Sequence, residues 1–188
     1  MAAEAVRRVR GLVPIAPDSR LVGPAATCAC AVGDNLALHH LLATAPAGSV
    51  LVCDAGGRDD VGYFGELMAL EARSRGLRGL VIDGAVRDGS VLGGLGFPVF
   101  HRGFAPGRAA KAEAPLLEEP VELGGVPVVP GDVVVADRDG VLVVPAEEWR
   151  SVQKRARRLD EEESELRSAL GRGESLSTLL GLGVEGSR

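Results

Sequence analysis

Apolar and polar positions fall along this chain in two textures. Up to about His101, short apolar runs alternate with stretches of helical period. Residues 1–10 read as a short helical lead-in. Pro14, Pro17 and Pro24 keep the next stretch extended or turned. Residues 21–32 (LVGPAATCACAV) are rich in β-branched and small apolar side chains and predict a strand. Gly33-Asp34-Asn35 then open a helix from about Leu36 to Ala45, with the Asp34 carboxylate able to bond free amides of the first turn. Pro46-Ala47-Gly48 ends it. Residues 49–53 (SVLVC) suit a buried central strand, and residues 54–60 read as the loop at its C-terminal edge. A helix from about Phe64 to Arg75, stopped by Gly76, leads to a second buried strand over residues 79–83 (GLVID). A short helix over 88–95 and a third strand over 97–101 close the series.

Residues 103–120, holding Pro106, Pro115 and Pro120, read as a long surface connection. The texture then changes. Residues 121–129 form a hairpin around Gly124-Gly125. Pro130-Gly131-Asp132 is a turn, and residues 133–136 and 141–144 flank another at Asp137-Arg138-Asp139-Gly140. Strand–helix units first and hairpins second predict an α/β fold: a layered domain with a parallel sheet, an antiparallel sheet and covering helices. Residues 1–145 form its core. Residues 146–188 form a charged helix and a Gly/Ser-rich tail, packed on the core or on a neighbouring subunit.

Composition narrows the function. Among 188 residues, 46% are hydrophobic but only 3% aromatic, so Val, Leu and Ala fill the core. A net charge of −5 argues against a nucleic-acid binder, which needs a basic stripe to neutralise phosphates. No apolar run approaches the ~18 residues of a membrane span, and the arginines of residues 1–11 come without the apolar core of a signal peptide. The expected location is the cytoplasm. Cys28-x-Cys30 has no second pair to complete a zinc site, so these two and Cys53 read as reduced, buried thiols acting as small apolar residues.

Two segments can carry chemistry. Gly65-Glu66-Leu67-Met68 starts a helix, where free backbone amides and the helix dipole favour an anion. Gly65 allows close approach, and the Leu67 and Met68 amides suit a small carboxylate. Arg87-Asp88 follows a buried strand at its C-terminal end, where open α/β sheets place their sites. The helix from Glu66 descends roughly 15 Å at ~1.5 Å per residue. The strand returns roughly 16 Å at ~3.3 Å per residue, to the level of Glu66. Arg87 is a planar fork for a carboxylate or enolate oxygen, and Asp88 is a hard oxygen ligand for a divalent cation. On residues alone, a plain helix start and a structural ion pair are the simpler readings. His39, His40, His101 and Asp54 are weaker candidates, and Asp137 to Gly140 is a turn rather than a calcium loop.

Several segments together resemble a known family. They are Gly33-Asp34-Asn35-Leu36-Ala37, Gly65-Glu66-Leu67-Met68, residues 79–88 (GLVIDGAVRD), residues 96–100 (GFPVF), Gly124-Gly125-Val126, residues 130–137 (PGDVVVAD) and residues 139–145 (DGVLVVP). Over residues 11–180 the chain resembles the RraA-like family, named for a regulator of ribonuclease E activity. That family includes class II 4-hydroxy-4-methyl-2-oxoglutarate / 4-carboxy-4-hydroxy-2-oxoadipate aldolases, and some members carry an old label as demethylmenaquinone methyltransferases. The resemblance implies a swivelling β/β/α fold and homotrimers or hexamers. The aldolase signature is an acid, twenty residues, then Arg-Asp, matched here by Glu66, residues 67–86, Arg87 and Asp88. It implies that Asp88 binds Mg²⁺ or Mn²⁺, that Glu66 holds the metal's waters, that Arg87 contacts a pyruvyl group and that the Leu67 and Met68 amides take its carboxylate. It also implies that one of Glu161, Glu162 and Glu163 reaches a neighbouring site. Residues 109–119 depart from the family's usual connection.

The expected function is therefore a metal-dependent lyase that cleaves a 4-hydroxy-2-oxo acid to pyruvate, with oxaloacetate decarboxylation alongside. The alternative is a non-catalytic regulator that binds a ribonuclease. Such regulators typically lack the full acid–Arg–Asp signature. A methyltransferase fits poorly, since no glycine-rich loop follows a first strand.

Overall fold

Alternation within the central strands sets the layering. The computed structural model describes residues 6–113 and 115–182. On β4 (Val50–Arg58), Leu51 and Cys53 face one core, while Val50 and Val52 face another. On β5 (Gly79–Val86), Leu80 and Ile82 face the first and Val81 the second. Side chains of period two therefore line both faces of these strands, and both faces are buried.

The first core lies under the helices. Leu38, Leu41 and Leu42 of α1 (Leu36–Thr44) and Met68, Ala69 and Ala72 of α2 (Glu66–Ser74) cover it. The second lies against the antiparallel strands, with Val134, Val141 and Val143 among its members. The order is helices, parallel sheet, antiparallel sheet.

The topology explains how one chain makes both sheets. β1 (Arg7–Val9) and β2 (Val13–Pro14) are short edge strands. β3 (Leu21–Ala29) is the hinge between layers. Its residues 21–24 pair antiparallel with β11 (Val133–Asp137), and its residues 25–29 pair parallel with β4. β4 and β5 are parallel, as are β5 and β6 (Val99–His101). Between β5 and β6 lies the short α3 (Gly89–Gly94). β7 (Gly103–Phe104) extends beside the end of β5, and β8 (Leu116–Leu117) pairs with β3. β9 (Val121–Leu123) and β10 (Val126–Val128) make a separate hairpin. β12 (Gly140–Val144) pairs with β11 and with β1.

Two expectations are corrected. The lead-in is not helical where it is described: Arg7 to Val9 pair with Val143 to Val141, and Val9 is buried. An open edge of β12 outweighs weak helix propensity, and residues 1–5 lie outside the described part. The stretch after Cys53 is not a loop. β4 runs on to Arg58, with a register shift between Asp54 and Arg58 that places Arg58 opposite Gly84. The expected parallel and antiparallel strands are both present: β11, β12 and β1 join the parallel strands through β3, and β9 and β10 pair by themselves.

Contacts divide the chain into two compact units, Met1–Ala146 and Glu147–Arg188. The second holds α4 (Trp149–Gly171) and α5 (Leu176–Leu179). Among the described residues, Ala169 alone is buried on α4, and pairs such as Arg158–Glu162 and Arg167–Glu163 lace its surface. No helix of the described residues is long and apolar enough to cross a membrane.

Candidate active site

The end of β5 and the start of α2 meet because the segment before α2 pairs with β5. The Tyr63 amide donates to the Ala85 carbonyl at 3.0 Å, and the Arg87 amide to the Phe64 carbonyl at 2.9 Å. Residues more than twenty apart in sequence thus become neighbours. Gly65, the residue before α2, is held against Arg87 and Asp88: a Cβ there would lie 2.5 Å from Asp88 Oδ2 and 2.9 Å from Arg87 Nε. Gly65 is extended (φ −156°), so the constraint is steric rather than conformational.

Asp88 adopts φ 58° and ψ 34°, in the left-handed region that Asp tolerates better than most residues. Its carbonyl accepts the Val91 and Leu92 amides and so starts α3. Its carboxylate turns back: Oδ2 accepts the Glu66 amide at 3.1 Å and lies 3.6 Å from Arg87 Nε. The carboxylate therefore satisfies one orphan donor of α2, while the Leu67 and Met68 amides stand in the same first turn. The Asp88 side chain is 40% exposed and that of Arg87 31%, so both reach solvent.

Arg87 and Asp88 form one wall of a cleft of about 590 Å³. Gly89, Ser90, Phe104, Ala105, Pro106 and Arg108 supply the rest. Gly65, Glu66, Leu67 and Met68 do not line it; they approach it through the Glu66–Asp88 hydrogen bond. Leu67 is exposed, and Met68 is buried, with the Asn35 side-chain amide 3.8 Å from its sulfur.

Among the weaker candidates, Asp54 and His101 have structural partners. Asp54 accepts the Gly56 and Glu122 amides. His101 contacts the Gly103 carbonyl through Nδ1 at 2.9 Å and meets the ring of Phe104, a cleft residue, in a tilted contact with ring centres 4.7 Å apart. Burial holds its pKa below the ordinary imidazole value, against the raising effect of Gly103. His39 is likewise lowered, first by burial and then by Lys111. Asp34 bonds the Leu36 amide as the sequence suggests, and also the Ala112 and Glu113 amides.

Sequence reasoning missed Ser90, Phe104 and Arg108. Phe104 and Arg108 lie in the connection read as surface, which pairs back at Gly62–Arg108 and beside β5. Gly89, directly after Asp88, was the available signal, since a Cβ there would run into the Phe104 ring.

The family described as "RraA-like: Aldolase/RraA" matches residues 2–143. A protein of Halalkalibacterium halodurans named "Putative 4-hydroxy-4-methyl-2-oxoglutarate aldolase" is 37% identical over 145 residues, 77% of this chain and 69% of its own length. Streptomyces coelicolor RraAS2, described as an unusual member of the RNase ES inhibitor RraA protein family, superposes with a TM-score of 0.77 at 31% identity, over 85% of this chain and 82% of its own. A structure from Geobacillus kaustophilus titled as an S-adenosylmethionine: 2-dimethylmenaquinone methyltransferase superposes with a TM-score of 0.72 at 31% identity, over 77% and 89%. With its fold and the match across the whole sheet-bearing unit, this chain belongs to the RraA-like family.

Proposed function

We propose that this protein is a carbon–carbon lyase that uses a divalent metal to cleave a 4-hydroxy-2-oxo acid to pyruvate, and that also decarboxylates oxaloacetate. The observation that carries the reading is the meeting of Glu66, Arg87 and Asp88 at the open edge of the parallel sheet, with Gly65 pressed against both members of the Arg–Asp pair.

The residues fit a hard divalent cation. The donors are carboxylate oxygens, Asp88 is partly open to solvent, and its described contacts run through Oδ2. Mg²⁺ commonly takes one or two carboxylates and keeps several waters, which matches Asp88 as direct ligand and Glu66 as partner of the waters. When bound, the ion acts as a Lewis acid toward the keto and carboxylate oxygens of the substrate.

The chain's own groups do the rest. The Leu67 and Met68 amides hold the carboxylate beside the keto group. Arg87 places a fixed positive charge where the keto oxygen gains negative charge as the C3–C4 bond breaks. Glu66 orients the water that takes the 4-hydroxyl proton and later returns a proton to C3. Arg108, also in the cleft wall, suits the far carboxylate of a dicarboxylic substrate. Loss of CO₂ from oxaloacetate places the same charge on the same oxygen. The reading includes a homotrimer or hexamer.

The test is pyruvate release from oxaloacetate and from a panel of 4-hydroxy-2-oxo acids, with Mg²⁺ or Mn²⁺ and with EDTA. Metal-dependent release is expected, and Arg87→Ala should lower kcat/KM by roughly 10²–10³. No release, or release indifferent to EDTA and to Arg87→Ala, overturns the reading. The Streptomyces neighbour supports a second reading, a regulator that binds a ribonuclease. Asp88, which completes the acid–Arg–Asp signature, favours the lyase. Tight capture of a ribonuclease by a chain with no lyase activity would reverse that order.

A further inference from the structure

The helix-facing side of the parallel sheet carries a group that the proposed reaction does not use. Cys28 lies near the end of β3, and Cys30 follows two residues later on the same face. The parallel register sets Cys53 of β4 directly opposite Cys28. The three sulfur atoms all lie within 4.8 Å of one another, with Cys30 Sγ 3.5 Å from Cys53 Sγ. All three are free thiols. Cys28 and Cys53 are buried, and Cys30 is half-buried. Register and alternation thus bring three thiols to one point.

The donor set is soft and stops at three. Among the described residues no imidazole or carboxylate joins the group. Asp54 faces the other side, where it holds the Gly56 and Glu122 amides. Asp34 is taken by the Leu36, Ala112 and Glu113 amides. Three sulfurs around one ion at about 2.3 Å stand about 4 Å apart, within reach of the observed spread. Structural zinc sites close with four ligands. A three-sulfur set with no hard donor selects a soft monovalent ion.

Of the three thiols, Cys30 holds its proton least firmly. Hydrogen bonds from the Cys28 and Cys53 thiols, aided by the Leu38 amide in the first turn of α1, hold the Cys30 thiol down to about 4. The contact with Cys30, together with burial, pushes Cys28 up against the lowering effect of Cys53, and the contacts with Cys28 and Cys30, together with burial, push Cys53 up, so a bound ion has to displace their protons.

We propose that Cys28, Cys30 and Cys53 form a three-thiolate binding site for copper(I), separate from the hard-metal site at Asp88. The ion replaces the thiol protons, which pass to solvent, and nothing is oxidised or reduced. Half-buried Cys30 gives the way in. From Cys30 the chain runs to Gly33, whose amide donates to the Tyr63 hydroxyl at 3.0 Å, and to Asn35, whose side chain donates to the Tyr63 carbonyl at 2.7 Å. A bound ion thus braces the segment that enters α2.

The test is anaerobic titration of the reduced, full-length protein with copper(I) against bathocuproine disulfonate, and separately with zinc. One copper(I) per chain is expected, with three sulfur neighbours and no nitrogen or oxygen by X-ray absorption. Cys30→Ser and Cys53→Ala should each weaken binding at least about 100-fold, with circular dichroism checking that each variant stays folded. Asp88→Asn should leave copper binding unchanged, so failure here is distinct from failure of the lyase reading. Full binding by Cys30→Ser, copper on nitrogen or oxygen, tighter four-coordinate zinc, or a disulfide formed in place of the complex would each overturn the proposal.

Discussion

At the scale of single residues, the candidate site depends on one missing methyl group and one carboxylate. Gly65→Ala puts a Cβ against Asp88 and Arg87. Overpacking of this kind costs about 1–3 kcal/mol, so the thermal midpoint should fall, with at least a tenfold loss of pyruvate release; unchanged activity would show that the close approach is incidental. Asp88→Asn separates charge from shape. Asn also tolerates the left-handed region and keeps an acceptor for the Glu66 amide. Stability should stay within about 0.5 kcal/mol, while calorimetry should show divalent-ion binding lost. His101 reports on burial through pH. Its folded pKa lies below the ordinary value of about 6.5, so the unfolded chain takes up the proton first. The stability linked to this group is fully present above the unfolded pKa and is lost as pH falls from there toward the folded pKa. Urea midpoints across that window should drop less for His101→Asn than for the parent, and equal drops would reject the linkage.

At the scale of elements, long buried strands and helices were legible in the sequence, and short edge elements were not. Val50, Val52 and Val81 against Leu51, Cys53, Leu80 and Ile82 give the two-sided burial of central strands in the apolar runs themselves. The run Gly56-Gly57-Arg58 has turn composition, and only its neighbour β5 makes it a strand. Cys28 and Cys53 stand together by register, which no local pattern encodes. The hairpin β9–β10 was read correctly from Gly124-Gly125, but its anchor was not. Asp83 on β5 is nearly buried, pairs with Arg102 and accepts the Gly124 amide at 2.8 Å, tying the hairpin turn to the parallel sheet. Arg102 is 31% exposed, so solvent screens part of the pair. Asp83→Ala should therefore cost about 2–3 kcal/mol, below the full penalty for breaking a buried pair. Amide exchange should rise first over residues 121–128. Uniform exchange with no loss of stability would show that Asp83 is not the anchor.

At the scale of the whole molecule, the two units differ in what holds them. Residues 1–146 have two buried cores and carry the candidate site. In α4 one described residue is buried, although the helix runs for 23 residues. Its i,i+4 ion pairs contribute only about 0.3–0.5 kcal/mol each. Most helical stability in proteins comes from packing an apolar face, so α4 has too little within its own unit. The proposed assembly would supply the missing contact and would bring Glu161, Glu162 or Glu163 to a neighbouring site. A chain ending at Ala146 should then still unfold cooperatively in urea, because both cores remain. It should sediment as a smaller species than the full chain and release pyruvate at least tenfold more slowly. Of Glu161→Gln, Glu162→Gln and Glu163→Gln, one alone should weaken divalent-ion binding, because neighbouring positions on a helix point in different directions. Three equal, negligible effects, with assembly and activity kept by the shortened chain, would show that the second unit serves neither.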